Sequence, residues 1–291
     1  MTLVVAAKIP DSCYPGKQKI IILGDTRLSS KDKSKKSYKQ GAIKTNIIHD
    51  NLAISWAGNS QHADDFFKTY TSSLSTMGKN EIIECVFAFY KERKRETDFI
   101  LCFGNSENQD LEIISIKNGE VGLDCSFAWV GSQTAYNRFN EYRIKNIDQY
   151  KSDTSQDPIF LDNFFMLAMR EVIAEQLDPL VGDFFIQVLY CHQKYFLYLS
   201  FYDHIDAKRS KNKWFSPGDP SDGAYSIAIV RDQRIRNIVA VYIYQSNQGL
   251  VFKSPEKGGI MKCIESVFYT PSEFTDFLKK YYKVQVLIHS Y

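Results

Sequence analysis

Over roughly the first 205 residues two blocks of helical periodicity, each two helices long, interrupt a run that otherwise reads as short strands, and that order leaves few architectures open. The opening segments TLVVAAK, QKIIILGDTRL, IKTNIIH and NLAISWAG are apolar or β-branched. Gly, Pro, Ser, Asn and Asp separate them, as expected of strands joined by turns. Asp50-Asn51 marks a tight hairpin turn. Helical spacing then runs from about Gln61 to Met77, capped by Asn59 or Ser60, and through EIIECVFAFYKERKR, capped by Asn80. In the second helix Ile82, Ile83, Val86, Phe87 and Tyr90 share one face. Strands return in TDFILCFG, LEIISIKNG and CSFAWVG. Two more helices follow, one from near Ser132 through TAYNRFNEYRIK and one between Pro158 and Gln176. FFIQVLY and YFLYLSFY then form a hairpin across Cys191 to Lys194. Blocks of this kind, rather than strict βαβ alternation, predict antiparallel sheets with helices stacked on their outer faces, an α+β protein.

Beyond about Asp206 the composition shifts to AKRSKNKWFSPGDPSDG, a surface loop or linker over 206–222. The division expected is a main domain over 1–205, this linker, and a small α+β extension over 223–291. The extension has strands in AYSIAIV and NIVAVYIY, a helix from Pro271 to Tyr282 and a last strand in VQVLI.

The formal charge is +2, from 36 basic and 34 acidic side chains, so no net field calls for nucleic acid or an anionic membrane. The lysines of SSKDKSKKSYKQ read as a solvated loop, and Lys91, Arg93, Lys94 and Arg95 as a helix end that complements its dipole. The six cysteines are scattered, with no CxxC pair, and the five histidines show no HExxH spacing. Neither a metal nor another cofactor is expected, and the cysteines read as buried thiols of a reducing compartment, the cytoplasm. The longest apolar runs, TLVVAA and KIIILG, are too short for a signal-peptide core or a membrane span.

Chemistry enters at Met1-Thr2. Removal of Met1 would leave a threonine with both a hydroxyl and a free α-amine, and an amine with a reference pKa of roughly 8 can take the hydroxyl proton near neutral pH. The hydroxyl is a poor nucleophile without such a base. Taken with Asp25 and Lys44, this reads as an N-terminal-nucleophile hydrolase.

In their order, TLVVAAK, GDTRLS, IKTNIIHDNLAISWAG, VGSQTAY and DPLVGD resemble segments of the β-subunits of proteasomes and their bacterial relatives, over roughly residues 2 to 205. The most specific piece is Lys44 followed fourteen positions later by Gly58. The resemblance implies a four-layer αββα sandwich and a threonine-type peptidase. Thr2 would be its nucleophile, Lys44 the cation that keeps the amine unprotonated and steadies an alkoxide, and Asp25 the group that orients Lys44. Gly58 would carry the oxyanion-hole N–H, and Ser132 and Asp178 would support the terminal amine. It also implies a pocket lined by Ala42, Asn46, Trp56 and Ser60, shallow and nearly neutral because an indole fills it, and so selective for small side chains. Peptide or unfolded protein would be the substrate, a homo-oligomeric ring the assembly, and an ATP-dependent unfoldase a possible partner. Leu3, Gln133 and Val181 depart from the pattern, and residues 10–17 add to the first loop. Two other readings stay open: an inactive structural subunit of such an assembly, and an amidase acting on a small molecule. Read singly, Asp25 is a turn residue, Ser132 a helix cap and Trp56 plain core.

Overall fold

The computed structural model describes residues 2–11, 14, 16–26, 41–104, 110–152, 161–175, 185–190, 195–199, 225–226, 238–243, 248–255, 258–268 and 270–282. Asp178, Pro158, the lysines between 31 and 39, and the VQVLI segment lie outside these residues. The chain divides into two compact units. The first comprises Met1–Ser29, Ile43–Leu197 and Glu256–Ile260; the second comprises Ser30–Ala42, Tyr198–Pro255 and Met261–Tyr291.

Two antiparallel sheets form the frame of the first unit. One is built from β1 (Leu3–Pro10), β2 (Gln18–Asp25), β8 (Phe127–Gly131), β9 (Phe185–Tyr190) and β10 (Phe196–Leu199), in the order β10-β9-β2-β1-β8. The other runs in chain order, β3 (Thr45–His49), β4 (Leu52–Gly58), β5 (Thr97–Phe103), β6 (Glu112–Lys117) and β7 (Glu120–Gly122). Strands β1, β2, β4 and β5 are buried along nearly their whole length, because both sheet faces are covered. That is why they read as continuous apolar runs rather than as alternating ones.

The helices are α1 (Ser60–Leu74), α2 (Lys79–Glu92), α3 (Gln133–Ser152) and α4 (Leu161–Glu175). Phe66 of α1 meets Phe89 of α2 and Phe99 of β5, with ring centroids 5.2 and 5.3 Å away. Phe139 of α3 and Phe165 of α4 both pack on Phe127 of β8. The two sheets meet through β1 and β8 on one side and β4, β5 and β6 on the other. The result is a mixed α/β unit on antiparallel sheets.

Asn59 caps α1, its Oδ1 accepting from the N–H groups of Gln61 and His62. The expectation for α2 needs correction. Asn80 lies inside the helix, and Gly78 holds the cap position with its N–H donating to Glu81 Oε2 at 2.7 Å. The basic run after α2 is woven into the surface: Arg95 N–H closes on Tyr90 O, and Lys91 and Arg93 lie over the Phe87 and Phe89 rings.

In the second unit β11 (Tyr225–Ser226), β12 (Ile238–Ile243), β13 (Gln248–Lys253) and β14 (Lys262–Phe268) form one antiparallel sheet in chain order. Helix α5 (Pro271–Tyr282) closes its core, where Ile238, Ala240, Tyr242 and Val251 pack with Phe274 and Leu278. Strands β13 and β14 have no counterpart in the sequence reading. Among the described residues no helix is long and apolar enough to cross a membrane.

Candidate functional site

Thr2 immediately precedes β1, where pairing of that strand with β8 brings the first described residue against Gly131 and Ser132. Ser132 N–H donates to Thr2 O at 2.7 Å, and Leu3 pairs with Gly131. Gly131 has φ +109°, and a Cβ there would fall 1.7 Å from Thr2 O, so only glycine fits against the threonine carbonyl. The Ser132 hydroxyl accepts from Ala135 N–H at 3.2 Å and so caps α3. The capping role read for this serine is thus realised, and its main chain reaches Thr2 as well.

Asp25 ends β2 beside β1 and is fully buried. Its Oδ1 accepts from Leu3 N–H at 3.3 Å, which ties the carboxylate to the residue that follows Thr2. Lys44 enters from the segment before β3. It is 2% exposed, and its Nζ sits 4.1 Å from the centroid of the Trp56 ring. Gly24 admits this approach, since a Cβ at that position would fall 3.2 Å from Lys44 Cβ. Burial pulls the Lys44 pKa down to about 8, against the upward pull of the Asp25 carboxylate. An ammonium with that balance changes protonation close to neutral pH.

The Thr2 hydroxyl belongs to a buried residue and has no hydrogen-bond partner among the described residues. A buried polar group left so costs roughly 1–3 kcal/mol, a penalty that reacting groups often carry. Chemically, the arrangement offers an uncommitted hydroxyl, a lysine of lowered pKa, a buried carboxylate and a backbone turn at Gly131-Ser132. Gly58 closes β4 and is exposed, with φ +117° and Glu96 O only 2.2 Å from where a Cβ would stand. Its place at the end of the strand accounts for that geometry by itself.

The four pocket positions are all covered to some degree. Trp56 is fully buried, and its Nε1 has no partner among the described residues. Asn46 is 8% exposed, Ser60 is half-buried at the first turn of α1, and Ala42 is fully buried, its main chain bridged to Lys262. The sequence reading passed over two acidic residues in the same unit. Asp98 stands opposite Ala57 on β5, with its pKa raised to about 6 by burial against the opposing effect of Lys117. Asp64 of α1 is 2% exposed and pairs with Lys68. Asp98 interrupts the apolar run TDFILCF, which was the available signal; Asp64 sits in an ordinary helical pattern and gave none.

No family model matches this chain, and no curated protein matches it. Among solved structures it is similar to the eukaryotic HslV from Trypanosoma brucei, at 18% identity. That match covers 65% of this chain and 98% of the other, with a TM-score of 0.46.

Proposed function

We propose that this protein is a threonine-type peptidase whose nucleophile is the Thr2 hydroxyl, freed with its own α-amine when Met1 is removed. The observation that carries the reading is the buried Thr2 hydroxyl, without a hydrogen-bond partner among the described residues, in a residue whose carbonyl bonds Ser132 and whose neighbour Leu3 bonds Asp25, the carboxylate whose charge acts on Lys44. In the proposed cycle the α-amine takes the hydroxyl proton as Oγ1 attacks the scissile carbonyl. The oxyanion forms against the main-chain N–H at Gly58, and the amine returns its proton to the leaving nitrogen. Water then hydrolyses the acyl-enzyme with the amine as base again. Lys44, while charged, disfavours protonation of the amine and steadies the developing alkoxide; Asp25 orients Lys44. Asp178, outside the described residues, keeps its proposed place beside the amine.

The same reading carries a four-layer αββα arrangement for residues 1–205, with 223–291 as an appended extension. Contacts of α4 with β1 and β2, of α1 and α2 with β5, and of the two sheets with each other support the layering. A homo-oligomeric ring in the cytoplasm, fed with peptide or unfolded protein and served by an unfoldase, rests on the sequence resemblance alone. Native mass of the purified chain tests the ring. Ala42, Asn46, Trp56 and Ser60 are the proposed pocket, suited to small side chains.

Intact-mass analysis with and without a threonine-directed epoxyketone tests the chemistry. The expected result is loss of Met1 and one adduct, abolished by Thr2→Ala. Retention of Met1, or an adduct that survives the substitution, overturns the proposal.

A further inference from the structure

A short piece of distant chain lies along the wall of the proposed pocket. Ser60, Asp64, Phe67 and Thr71 follow one another at four-, three- and four-residue steps on α1, so they share one face of the helix. Gly258, Gly259 and Ile260 run along that face, in the segment between β13 and β14 that packs within the first unit. A Cβ on Gly258 would fall 2.6 Å from Phe67 O and 3.3 Å from Thr71 Cβ. Gly259 O accepts from Asn46 Nδ2 at 3.0 Å. Ile260 N–H donates to Asp64 Oδ1 at 3.1 Å, while the other oxygen of Asp64 takes the Lys68 ammonium at 2.9 Å. Ile260 is fully buried.

The strap is therefore held as a peptide main chain is held, one carbonyl and one N–H at a time, by side chains of β3 and α1. It is an imperfect occupant. The Asn46 amide donates to the strap, but its Oδ1 is buried with no partner among the described residues, and so is Nε1 of Trp56. An asparagine amide can pair with both the N–H and the C=O of a bound peptide, and the strap supplies only the second. An orphaned buried acceptor on the very side chain that holds the strap marks a site shaped for a different ligand.

We propose that residues 258–260 are an internal plug, held in the place where an extended peptide binds between Asn46 and α1, and that the pocket opens when the strap leaves. The substrate class rests on the peptidase reading above; the plug itself does not. A peptide entering the site would present its main-chain N–H to Asn46 Oδ1 and its carbonyl to Asn46 Nδ2.

Two variants loosen the strap by different routes: Gly258→Ala by collision with Phe67 O, and Asp64→Ala by deleting the acceptor for Ile260 N–H. Lys68→Ala, which removes only the ion pair, is the control. Amide exchange over 258–261 reports release. Reductive methylation of Lys44, two residues before Asn46 in the chain and set over Trp56, reports opening without requiring catalysis. Both loosening variants are expected to raise the Lys44 methylation rate, Asp64→Ala by about tenfold, the change that loss of one hydrogen bond to a charged acceptor brings. The control is expected to match the wild type. Faster exchange at 258–261 with unchanged Lys44 reactivity overturns the plug, as does unchanged exchange in both variants. Epoxyketone addition at Thr2, measured in parallel, separates the two proposals. Faster methylation without any adduct upholds the plug and removes the peptidase, whereas an adduct formed equally fast with the strap tight or loose does the reverse.

Discussion

Lys44 is held between opposing demands. Its stem and ammonium are buried, which favours the neutral amine, while Asp25 and the face of the Trp56 ring favour the cation. The unfolded chain keeps this proton to about 10.5, whereas the folded chain gives it up near about 8. Between those values the unfolded state binds more protons, so this group makes stability rise with pH across that window and leaves it flat below. Denaturation midpoints measured across the window should climb in the wild type and lose that climb in Lys44→Met. A climb that persists in the variant assigns the proton elsewhere. The proposed chemistry runs the other way, because it needs the charge: Thr2 labelling should fall as pH rises through about 8, and Lys44→Met should slow it by about a hundredfold or more. A variant that labels at the wild-type rate removes Lys44 from the mechanism. This residue was legible in the sequence only through its spacing to Gly58. Nothing in the surrounding IKTN indicates burial, which is a property of the fold.

At the scale of elements, local chemistry and tertiary chemistry separate cleanly. Asn59 could be read as a cap because its side chain serves N–H groups two and three residues away. Asn80 looked equally suitable, but a glycine at 78 with Glu81 reaching back does the same work two residues earlier. Asn59→Ala should therefore cost about 1 kcal/mol, and Asn80→Ala no more than about 0.5 kcal/mol. Urea titration of the two variants measures both, and equal losses would restore Asn80 as the cap. A hairpin between β6 and β7 was missed within LEIISIKNG, although Asn118-Gly119 has φ of 53° and 87°, the signature of a type I′ turn. Here the signal was present and unread. The strap on α1 is a different case. Its bonds join residues 213 and 196 positions apart, and no periodicity in either segment encodes such a pairing.

At the scale of the whole molecule, the chain carries two cores, and each has its own reason to hold. The second is small: a four-stranded sheet covered by one helix, with Phe274 at its centre. Gly249 of β13 has no side chain because the Phe274 ring takes that space, with Cε2 only 2.2 Å from where a Cβ would stand. The strands that build it were half visible in the sequence. NIVAVYIY is almost continuously apolar, whereas QGLVFK and KCIESVF are short and mix apolar with polar residues, so it is pairing in the sheet, β13 between two strands and β14 at its edge, that makes them strands. Phe274→Ala removes the ring on which Tyr242 and Phe277 pack, and should cost about 3–5 kcal/mol in this core. If each core is stabilised by its own contacts, amides of β12 and β13 will lose protection in this variant while those of β4 and β5 keep theirs. Equal loss in both sheets would mean that the chain unfolds as one cooperative body, and that the stability of the proposed catalytic unit depends on the core around Phe274.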